Sequence, residues 1–391
     1  MEHKKHFLFF IMILMTACEP MTTTSSSVPS KTPTTSQGAD TPLQTLVEIP
    51  LPAGYGIGGS WFELYFTDPA SPLATQNTGG VDGPLVEAID SARLSVDVAA
   101  YSLSLNSVRN SLIKAFDRGV QVRMVMESDN RERSDVQILI DAGIPVLGDR
   151  REGLMHNKFV VIDHSEVWLG SMNFTDSGAY QDNNGLMRII SPKMAENYTR
   201  EFEEMFVDDK FGPDIVAGTP NPRVTIDGTP IDVYFSPDDG IQDGLLELVE
   251  NAQESICFMA FSFTSDPLGL AIRARAMDEV IVSGVMDDEQ IDSNIGTEFD
   301  PFNQAGVDVL RDGNPGQMHH KVMIIDESIV VFGSYNFTNS AETRNDENLT
   351  VIYNEAIAAH FMDEFERVYS RAKEPLGNSF TTVPVRYSFL H

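Results

Sequence analysis

Apolar and polar residues along this chain fall into two similar series, each about the length of one ordinary domain. In the first series an amphipathic helical pattern leads into an apolar run at residues 94–100, and in the second a matching pattern leads into residues 256–261. Such runs, including residues 120–126, are typical of strands covered on both faces. Strands alternating with helical stretches predict two tandem α/β/α domains, each a mixed central sheet flanked by helices.

Each series also contains a predicted β-hairpin, followed by a closing helix. An apolar run, a polar turn and a second apolar run indicate the hairpin, and apolar residues at helical spacing indicate the helix. The predicted strands are residues 159–162 and 167–169 in the first half and 322–325 and 330–332 in the second, and the predicted helices are 192–206 and 355–369.

The hairpins carry a polar set that occurs twice. A histidine and a lysine two residues apart precede the first strand, an aspartate follows it, and a Gly-Ser pair and an asparagine follow the second strand, with the copies 163 positions apart. The repeated residues are His156, Lys158, Asp163, Ser171 and Asn173 in the first half, and His319, Lys321, Asp326, Ser334 and Asn336 in the second.

Strand geometry suggests how each polar set is arranged. Side chains two residues apart share one face of a strand, so each histidine points the same way as its lysine. The returning strand brings each asparagine back beside that pair. Asp163 and Asp326 lie at hairpin turns, where an aspartate usually accepts backbone hydrogen bonds, so we interpret them as structural anchors first and catalytic groups second. A pseudo-two-fold axis between the halves predicts one site containing both His/Lys pairs.

The duplicated motif, H-x-K-x₄-D-x₆-G-S-x-N, resembles the signature of the phospholipase D superfamily. The resemblance extends from about residue 51 to the C-terminus, and residues 340–352 look most like the small bacterial endonucleases of that superfamily. The same signature serves lipid hydrolases, cardiolipin synthases and nucleases. The resemblance therefore implies a phosphodiester substrate and leaves the choice between phospholipid and nucleic acid open.

The resemblance also implies a mechanism without a metal or other cofactor. One histidine attacks phosphorus to form a phosphohistidine, and the other donates a proton to the leaving oxygen and then acts as a base. Lys158 and Lys321 offset the phosphate charge, and the two asparagines, with Ser171 and Ser334, are expected to bind the phosphate. Because both halves contribute to one site, a single chain needs no dimer.

A carboxylate behind each histidine is the family's usual means of fixing the tautomer. Glu347 lies 28 residues after His319, where the nuclease-like members carry this acid, but the same count from His156 reaches Asn184. Asp182 is near enough to substitute if the loop shifts register. If it does not, Glu347 should favour a charged His319 as the acid, which leaves His156 as the nucleophile.

The N-terminus indicates export. Lys4 and Lys5 precede a nine-residue apolar run, too short to span a bilayer, and small residues lead to Cys18, as in a bacterial lipoprotein processing site. We expect a signal peptide at 1–17 with lipidation at Cys18, a Thr/Ser/Pro-rich tether at 18–47, a first domain at 48–222 and a second at 223–391. This makes the protein an extracytoplasmic membrane lipoprotein, with plain secretion as the alternative.

Net charge limits the choice of substrate. The chain has 27 basic and 58 acidic residues, a formal charge of −31, which disfavours nonspecific nucleic-acid binding and contact with an anionic membrane. Arginines before the first motif form either a basic rim or an ordinary solvated loop: Arg131, Arg133, Arg150 and Arg151. We keep a lipid-anchored phospholipid phosphodiesterase, an exported endonuclease of DNA or RNA, a phosphatidyltransferase resembling cardiolipin synthase, and an inactive binding module as hypotheses.

Overall fold

Two mixed β-sheets form the framework of the structure, a computed structural model that describes residues 46–374. The strands of the first sheet are β1 (Val47–Leu51), β2 (Gly54–Gly58), β3 (Phe62–Thr67), β4 (Ser95–Ala100), β5 (Gln121–Met126), β6 (Val146–Gly148), β7 (Lys158–Ile162), β8 (Glu166–Gly170) and β9 (Gly185–Ile190). Those of the second are β10 (Arg223–Ile226), β11 (Thr229–Ser236), β12 (Ser255–Ala260), β13 (Ile281–Met286), β14 (Asp308–Arg311), β15 (Lys321–Ile325), β16 (Ile329–Gly333) and β17 (Glu347–Tyr353).

The two sheets share one topology. The first has the order β1-β2-β3-β9-β8-β7-β4-β5-β6 and the second β10-β11-β17-β16-β15-β12-β13-β14. In the first sheet, β5 pairs in parallel with β4 and β6, and in the second sheet, β13 pairs in parallel with β12 and β14. All other neighbouring strands in both sheets are antiparallel. From β3 and β11 onward the orders match strand for strand. The predicted pair of α/β domains with mixed central sheets is therefore confirmed.

Helices connect and cover the strands. They are α1 (Asp82–Ser91), α2 (Asn106–Asp117), α3 (Ser134–Asp141), α4 (Asp176–Tyr180), α5 (Pro192–Phe206), α6 (Ile241–Asn251), α7 (Asp266–Met277), α8 (Asp288–Ser293), α9 (Phe299–Gln304), α10 (Asn339–Thr343) and α11 (Glu355–Ala372), with short 3₁₀ turns at Ala74–Gln76, Ser128–Asn130 and Gly212–Asp214. Both predicted closing helices are present, α5 with the predicted bounds and α11 three residues longer.

The closing helices α5 and α11 join the two sheets through a shared core. Tyr198 of α5 contacts Phe235 of β11 with ring centroids 5.0 Å apart, and Phe361 of α11 lies 5.1 Å from Phe66 of β3 and 5.2 Å from Phe332 of β16. Each of these rings is buried. Burial of large aromatic rings contributes strongly to packing energy, so the two halves are held together by apolar contact.

Each α/β half also keeps both faces of its sheet covered. Along β12, Cys257 and Met259 face the shared core, whereas Ile256 and Phe258 face a second apolar cluster that includes residues of α6 and α7. This alternation is the period-two pattern of a strand, and it explains why the sequence shows an unbroken apolar run there.

The hairpin aspartates anchor the end of each sheet away from the histidines. The Asp163 carboxylate accepts hydrogen bonds from the backbone amides of residues 93, 94 and 95, at 3.0, 2.6 and 3.0 Å. Asp326 accepts the equivalent three at 2.9, 2.7 and 3.0 Å, and these amides outweigh burial and lower its pKa. Both have positive φ, as their turns require. These contacts support the anchoring role, and we assign neither aspartate a catalytic one.

Replacement of Asp163 by alanine should therefore affect stability and not chemistry. Losing the acceptor for three amides is expected to lower the free energy of unfolding by about 1–3 kcal/mol, measured by denaturant titration. Asp163→Asn is the matched control, because it tolerates positive φ and keeps one acceptor oxygen. A folded Asp163→Ala protein with unchanged stability and a large fall in kcat would restore the catalytic interpretation.

The predicted signal peptide, Cys18 and nearly all of the predicted tether lie outside the described residues. Within residues 46–374, none of the helices has the length and apolar character needed to cross a membrane. These residues belong to one compact unit, so the boundary expected at 222/223 stays a prediction.

Candidate active site

Each histidine of the repeated motif is held by the backbone of the other half. The amide of His156 donates to the carbonyl of Asp346, and the amide of His319 donates to the carbonyl of Asn183, both at 3.0 Å. The segments leading into β7 and β15 therefore cross to the segments before β17 and β9. This crossing places both motifs in one site, as the pseudo-two-fold arrangement predicted.

Two acids fix the residues just before the histidines. Glu127 accepts a hydrogen bond from the Met155 amide and Asp287 accepts one from the Met318 amide, each at 3.0 Å. Burial raises the pKa of both acids. Their equivalent positions, each directly after a parallel strand, show that the repeat preserves the scaffold as well as the motif. The sequence analysis missed these acids because they lie about 30 residues before the histidines.

The two lysines lie beside the histidines, as expected. Nζ of Lys158 donates to the His156 carbonyl and Nζ of Lys321 to the His319 carbonyl, both at 2.7 Å. Burial lowers the pKa of Lys158 to about 7 and that of Lys321 well below its usual value. A bound anion would favour the charged form of both, so their positive charge is available where a phosphate would bind.

An aromatic ring covers each His/Lys pair. The Tyr101 ring lies 5.0 Å from the His156 ring and 5.2 Å from Lys158 Nζ, and the Phe261 ring lies 4.7 Å from the His319 ring and 4.5 Å from Lys321 Nζ. Such edge contacts restrict the ring orientation of each histidine. The sequence analysis did not name these two residues, although they occupy matched positions in the repeat.

The partners behind the histidines differ from the prediction. Nδ1 of His156 lies 2.8 Å from Glu347 Oε2, and Nδ1 of His319 lies 2.9 Å from Asn184 Oδ1. The expectation that Glu347 orients the histidine of its own motif is therefore wrong. Because the two halves cross, each histidine takes the partner supplied by the other half, and the carboxylate belongs to His156.

Asp182 does not take the place of the missing carboxylate. Its Oδ1 accepts a hydrogen bond from the Gln317 amide at 3.0 Å, and burial raises its pKa to about 6. The loop keeps its register, because the Asn184 amide is fixed by Thr67 Oγ1 at 2.8 Å. His319 therefore has a neutral amide partner.

The two motif serines support these partners and do not line the site. Ser171 Oγ donates to Asn184 Oδ1 at 2.9 Å, and Ser334 Oγ donates to Glu347 Oε2 at 2.8 Å. Both side chains are fully buried, and each Oγ also accepts a hydrogen bond from a backbone amide. These positions do not support the prediction that the serines bind phosphate, because each serine donates its single hydroxyl proton to Asn184 or Glu347 behind a histidine.

Burial and the neighbouring cations keep both imidazoles neutral. Burial lowers the pKa of His156 to about 4, against the opposing effect of Glu347. Burial, with Lys321 and Lys158, lowers the pKa of His319 well below its usual value. Neither Nε2 atom has a hydrogen-bond partner among the described residues, so each site-facing nitrogen is available to a substrate.

Asn173 and Asn336 remain candidates for substrate contact. The register that pairs Phe159 with Leu169 carries the chain after β8 back alongside His156, and β16 does the same in the second half. Oδ1 of each asparagine is buried and has no partner among the described residues. An unpaired buried polar atom needs a ligand or water to complete its hydrogen bonding, so the predicted role of both stays open.

Three of the four arginines before the first motif are paired with acids, so these three do not form a basic rim. Arg150 pairs with Asp209 and Arg131 with Glu132, while Arg151 donates to the Asp346 carboxylate at 2.5 Å and so links the two halves. Three of the four candidates are thus neutralised by neighbouring acids. This arrangement favours the ordinary solvated loop over the basic rim for these three arginines.

His320 lies on the opposite side of its strand from His319. Its Nε2 is 2.7 Å from Glu364 Oε1 in α11, and Glu364 also pairs with Arg367 and Tyr55. His320 and Glu364 are fully buried. Arg367 in turn donates to Asn183 Oδ1 at 3.0 Å, which supports the loop that carries Asn184. His320 is therefore a structural residue.

Among residues 46–374, no cluster of three or more His, Cys, Asp or Glu side chains is arranged to hold a metal ion. The expectation of a reaction that needs no metal stays a prediction, which a chelator can test.

Fold and site together define a protein of the phospholipase D superfamily. The family profile described as "Cardiolipin synthase, PLD-like domain" matches residues 85–206 and 245–369, more than half of the chain, once in each half. The chain belongs to this superfamily.

Known proteins match parts of this chain. Human mitochondrial cardiolipin hydrolase is 32% identical over 127 residues, which cover 32% of this chain and 50% of the human protein. A phospholipase D of Rickettsia prowazekii (strain Madrid E) is 30% identical over 135 residues, covering 34% and 65%. The matched region thus spans about half to two thirds of these relatives.

A solved structure shares the fold over most of this chain. Phosphatidylserine synthase of Haemophilus influenzae Rd KW20 has a TM-score of 0.56 and 11% identity, and the alignment covers 80% of this chain and 89% of that one.

Proposed function

We propose that this protein is an exported phospholipase D-type phosphodiesterase that hydrolyses the head-group phosphodiester of phospholipids through a phosphohistidine. One observation carries the proposal: two His/Lys pairs meet in a site where each Nδ1 is held from behind and each Nε2 is unpartnered. Such a site supplies a nucleophile, a proton donor and two cations to one phosphate.

The proposed reaction has two steps. Nε2 of His156 bonds to phosphorus, the bond from phosphorus to the leaving oxygen breaks, and His319 transfers a proton from Nε2 to that oxygen. His319 then takes a proton from water as the water oxygen bonds to phosphorus and the N–P bond breaks. Lys158 and Lys321 balance the phosphate charge, so the residues end as they began.

Lipid is the favoured substrate class. Two relatives named above are a cardiolipin hydrolase and a phospholipase D, and three of the four arginines that would have supported nucleic-acid binding are paired with acids. The predicted N-terminal lipid anchor would also hold the enzyme at its substrate. Labelling of the wild-type protein by a palmitate analogue, with no labelling of Cys18→Ser, tests this part of the proposal.

A paired assay of the purified protein in chelator tests the function. We expect head-group release from phospholipid vesicles and no nicking of plasmid DNA or cleavage of RNA. Cleavage of nucleic acid alone would replace the lipid proposal with the endonuclease. Inactivity on all of them, with unchanged phosphodiester binding by His156→Ala, would indicate a binding module. Adding glycerol or phosphatidylglycerol as an acceptor separates hydrolysis from phosphatidyl transfer.

A further inference from the structure

The two halves of the site differ in the charge placed behind each histidine. Ring nitrogen Nδ1 of His156 faces the carboxylate of Glu347, whereas Nδ1 of His319 faces the side-chain amide of Asn184. Both partners are fully buried and both are bonded by the serine that follows the returning strand. The two halves of the site therefore have the same geometry but place different charges behind their histidines.

The surroundings of Asn184 fit an amide and not a carboxylate. Its Nδ2 donates to the Gly178 carbonyl at 2.9 Å, which fixes Oδ1 as the atom that faces His319. A carboxylate there would set an oxygen against that carbonyl. Because Oδ1 can only accept, His319 must carry its proton on Nδ1, and its Nε2 faces the site.

The surroundings of Glu347 fit a carboxylate. Oε2 accepts from Ser334, and Oε1 faces Nδ2 of Asn345 at 3.4 Å. The position equivalent to Asn345 in the first half is Asp182, whose carboxylate accepts a backbone amide. The first half thus has an acid at 182 and an amide at 184, whereas the second half has an amide at 345 and an acid at 347. The difference in charge is therefore matched by a change in the neighbouring residue of each half.

His319 has no carboxylate partner of its own. The largest electrostatic effects on it come from nitrogen bases: Lys321 and His320 from β15 and the residue before it, and Lys158 and His156 from the first half. Nearby acids serve other groups, since Glu347 faces His156, while Asp182 and Asp287 act on Lys321. Before an anion binds, a positive charge on buried His319 therefore has no negative charge of its own to compensate it.

We propose that Asn184 is a positioning residue that keeps His319 uncharged until an anionic phosphodiester enters, and that substrate binding then lets Nε2 of His319 take up its acid proton from solvent. The inference rests on the proposed function and deepens it. The phosphate supplies the negative charge that Asn184 lacks. After the leaving oxygen has taken the proton, His319 is again neutral and serves as the base for water.

Proton uptake on binding tests this directly. Dimethylphosphinate is a suitable probe, because it remains a monoanion at neutral pH and has no ester bond to break. Calorimetric titration in buffers of different ionisation enthalpy counts the protons taken up. Near pH 7.5 we expect the wild-type protein to take up more protons per bound anion than His319→Gln does, with a difference of up to about one proton. The lysines still contribute in both, so the difference between the proteins is the measured quantity.

Asn184→Asp gives the opposite test of the same idea. An added carboxylate should let His319 hold its proton before the anion binds, so uptake should fall and the alkaline limb of the kcat/KM profile should move to higher pH by about one unit or more. A role in folding alone would not move the profile. Glu347→Gln is the matched control and should leave His319-dependent uptake in place.

Two outcomes separate the inference from the proposed function. If dimethylphosphinate binds and the wild-type protein, His319→Gln and Asn184→Asp take up equal numbers of protons, the inference is wrong and the phosphodiesterase stands. If the wild-type protein releases no head group from phospholipid vesicles, the proposed function fails, whether or not the probe binds. Should Asn184→Asp not fold, the comparison with His319→Gln alone still decides.

Discussion

Replacement of His319 by alanine is expected to slow cleavage of an alkyl phosphodiester by about 10²–10⁴-fold, yet to leave the first step on a p-nitrophenyl ester nearly intact. An alkoxide cannot leave without a proton, and His319 supplies it in the proposed mechanism. The p-nitrophenolate ion is a stable leaving group and needs no acid. Replacement of His156 by alanine should abolish the first step on both substrates, because no nucleophile remains.

Rapid-mixing measurements with the p-nitrophenyl ester check this division of roles. His319→Ala should release about one equivalent of p-nitrophenolate in a burst and then stop, because the phosphohistidine lacks the base that activates water. Mass spectrometry under alkaline conditions should place the phosphoryl group on His156. A burst from His156→Ala, or a label on His319 in the wild-type protein, would reverse the assignment.

The structure supports His156 as the nucleophile for a reason opposite to that given by the sequence. When Nε2 bonds to phosphorus, the ring becomes positively charged, and the carboxylate of Glu347 at 2.8 Å from Nδ1 compensates that charge. Counting along the repeat had placed Glu347 behind His319 and made His319 the charged acid. The proposed nucleophile stays the same, but the carboxylate lies behind it and not behind the proposed acid.

The fold could be predicted from the sequence because its signals are local. Unbroken apolar runs predicted the buried strands, and apolar residues at helical spacing predicted α5 and α11. The hairpin turns followed from Asp163 and Asp326, each of which accepts three backbone amides. The duplicated spacing gave the two-fold arrangement, since like segments in one chain form like domains.

The pairing within the site could not be predicted in the same way. A count along the chain treats each half as self-contained, but the segments before β9 and β17 cross to the opposite histidine. The serines were misplaced for a related reason. The sequence puts Ser171 at the correct strand end, but it does not show that its hydroxyl is fully buried between Asn184 and the Gly185 amide.

Replacement of Glu347 by glutamine should reduce kcat by about 10²–10³-fold, because it removes the charge that stabilises the phosphohistidine ring. The surroundings make this change costly. Ser334 and Asn345 both direct donors at Glu347, and His156 directs its Nδ1 proton there as well. The amide nitrogen of a glutamine would have to face one of these donors, and no choice of orientation satisfies all three.

Ser334→Ala provides the matched control for this prediction. It removes one hydrogen bond from Glu347 but keeps the carboxylate, so we expect a loss of about tenfold or less in kcat. The comparison uses single-turnover rates on the p-nitrophenyl ester, where only attack by His156 is limiting. If Glu347→Gln stays within a few-fold of the wild-type rate and the phosphoryl group is found on His319, the covalent bond forms on His319 and the two halves have the opposite roles.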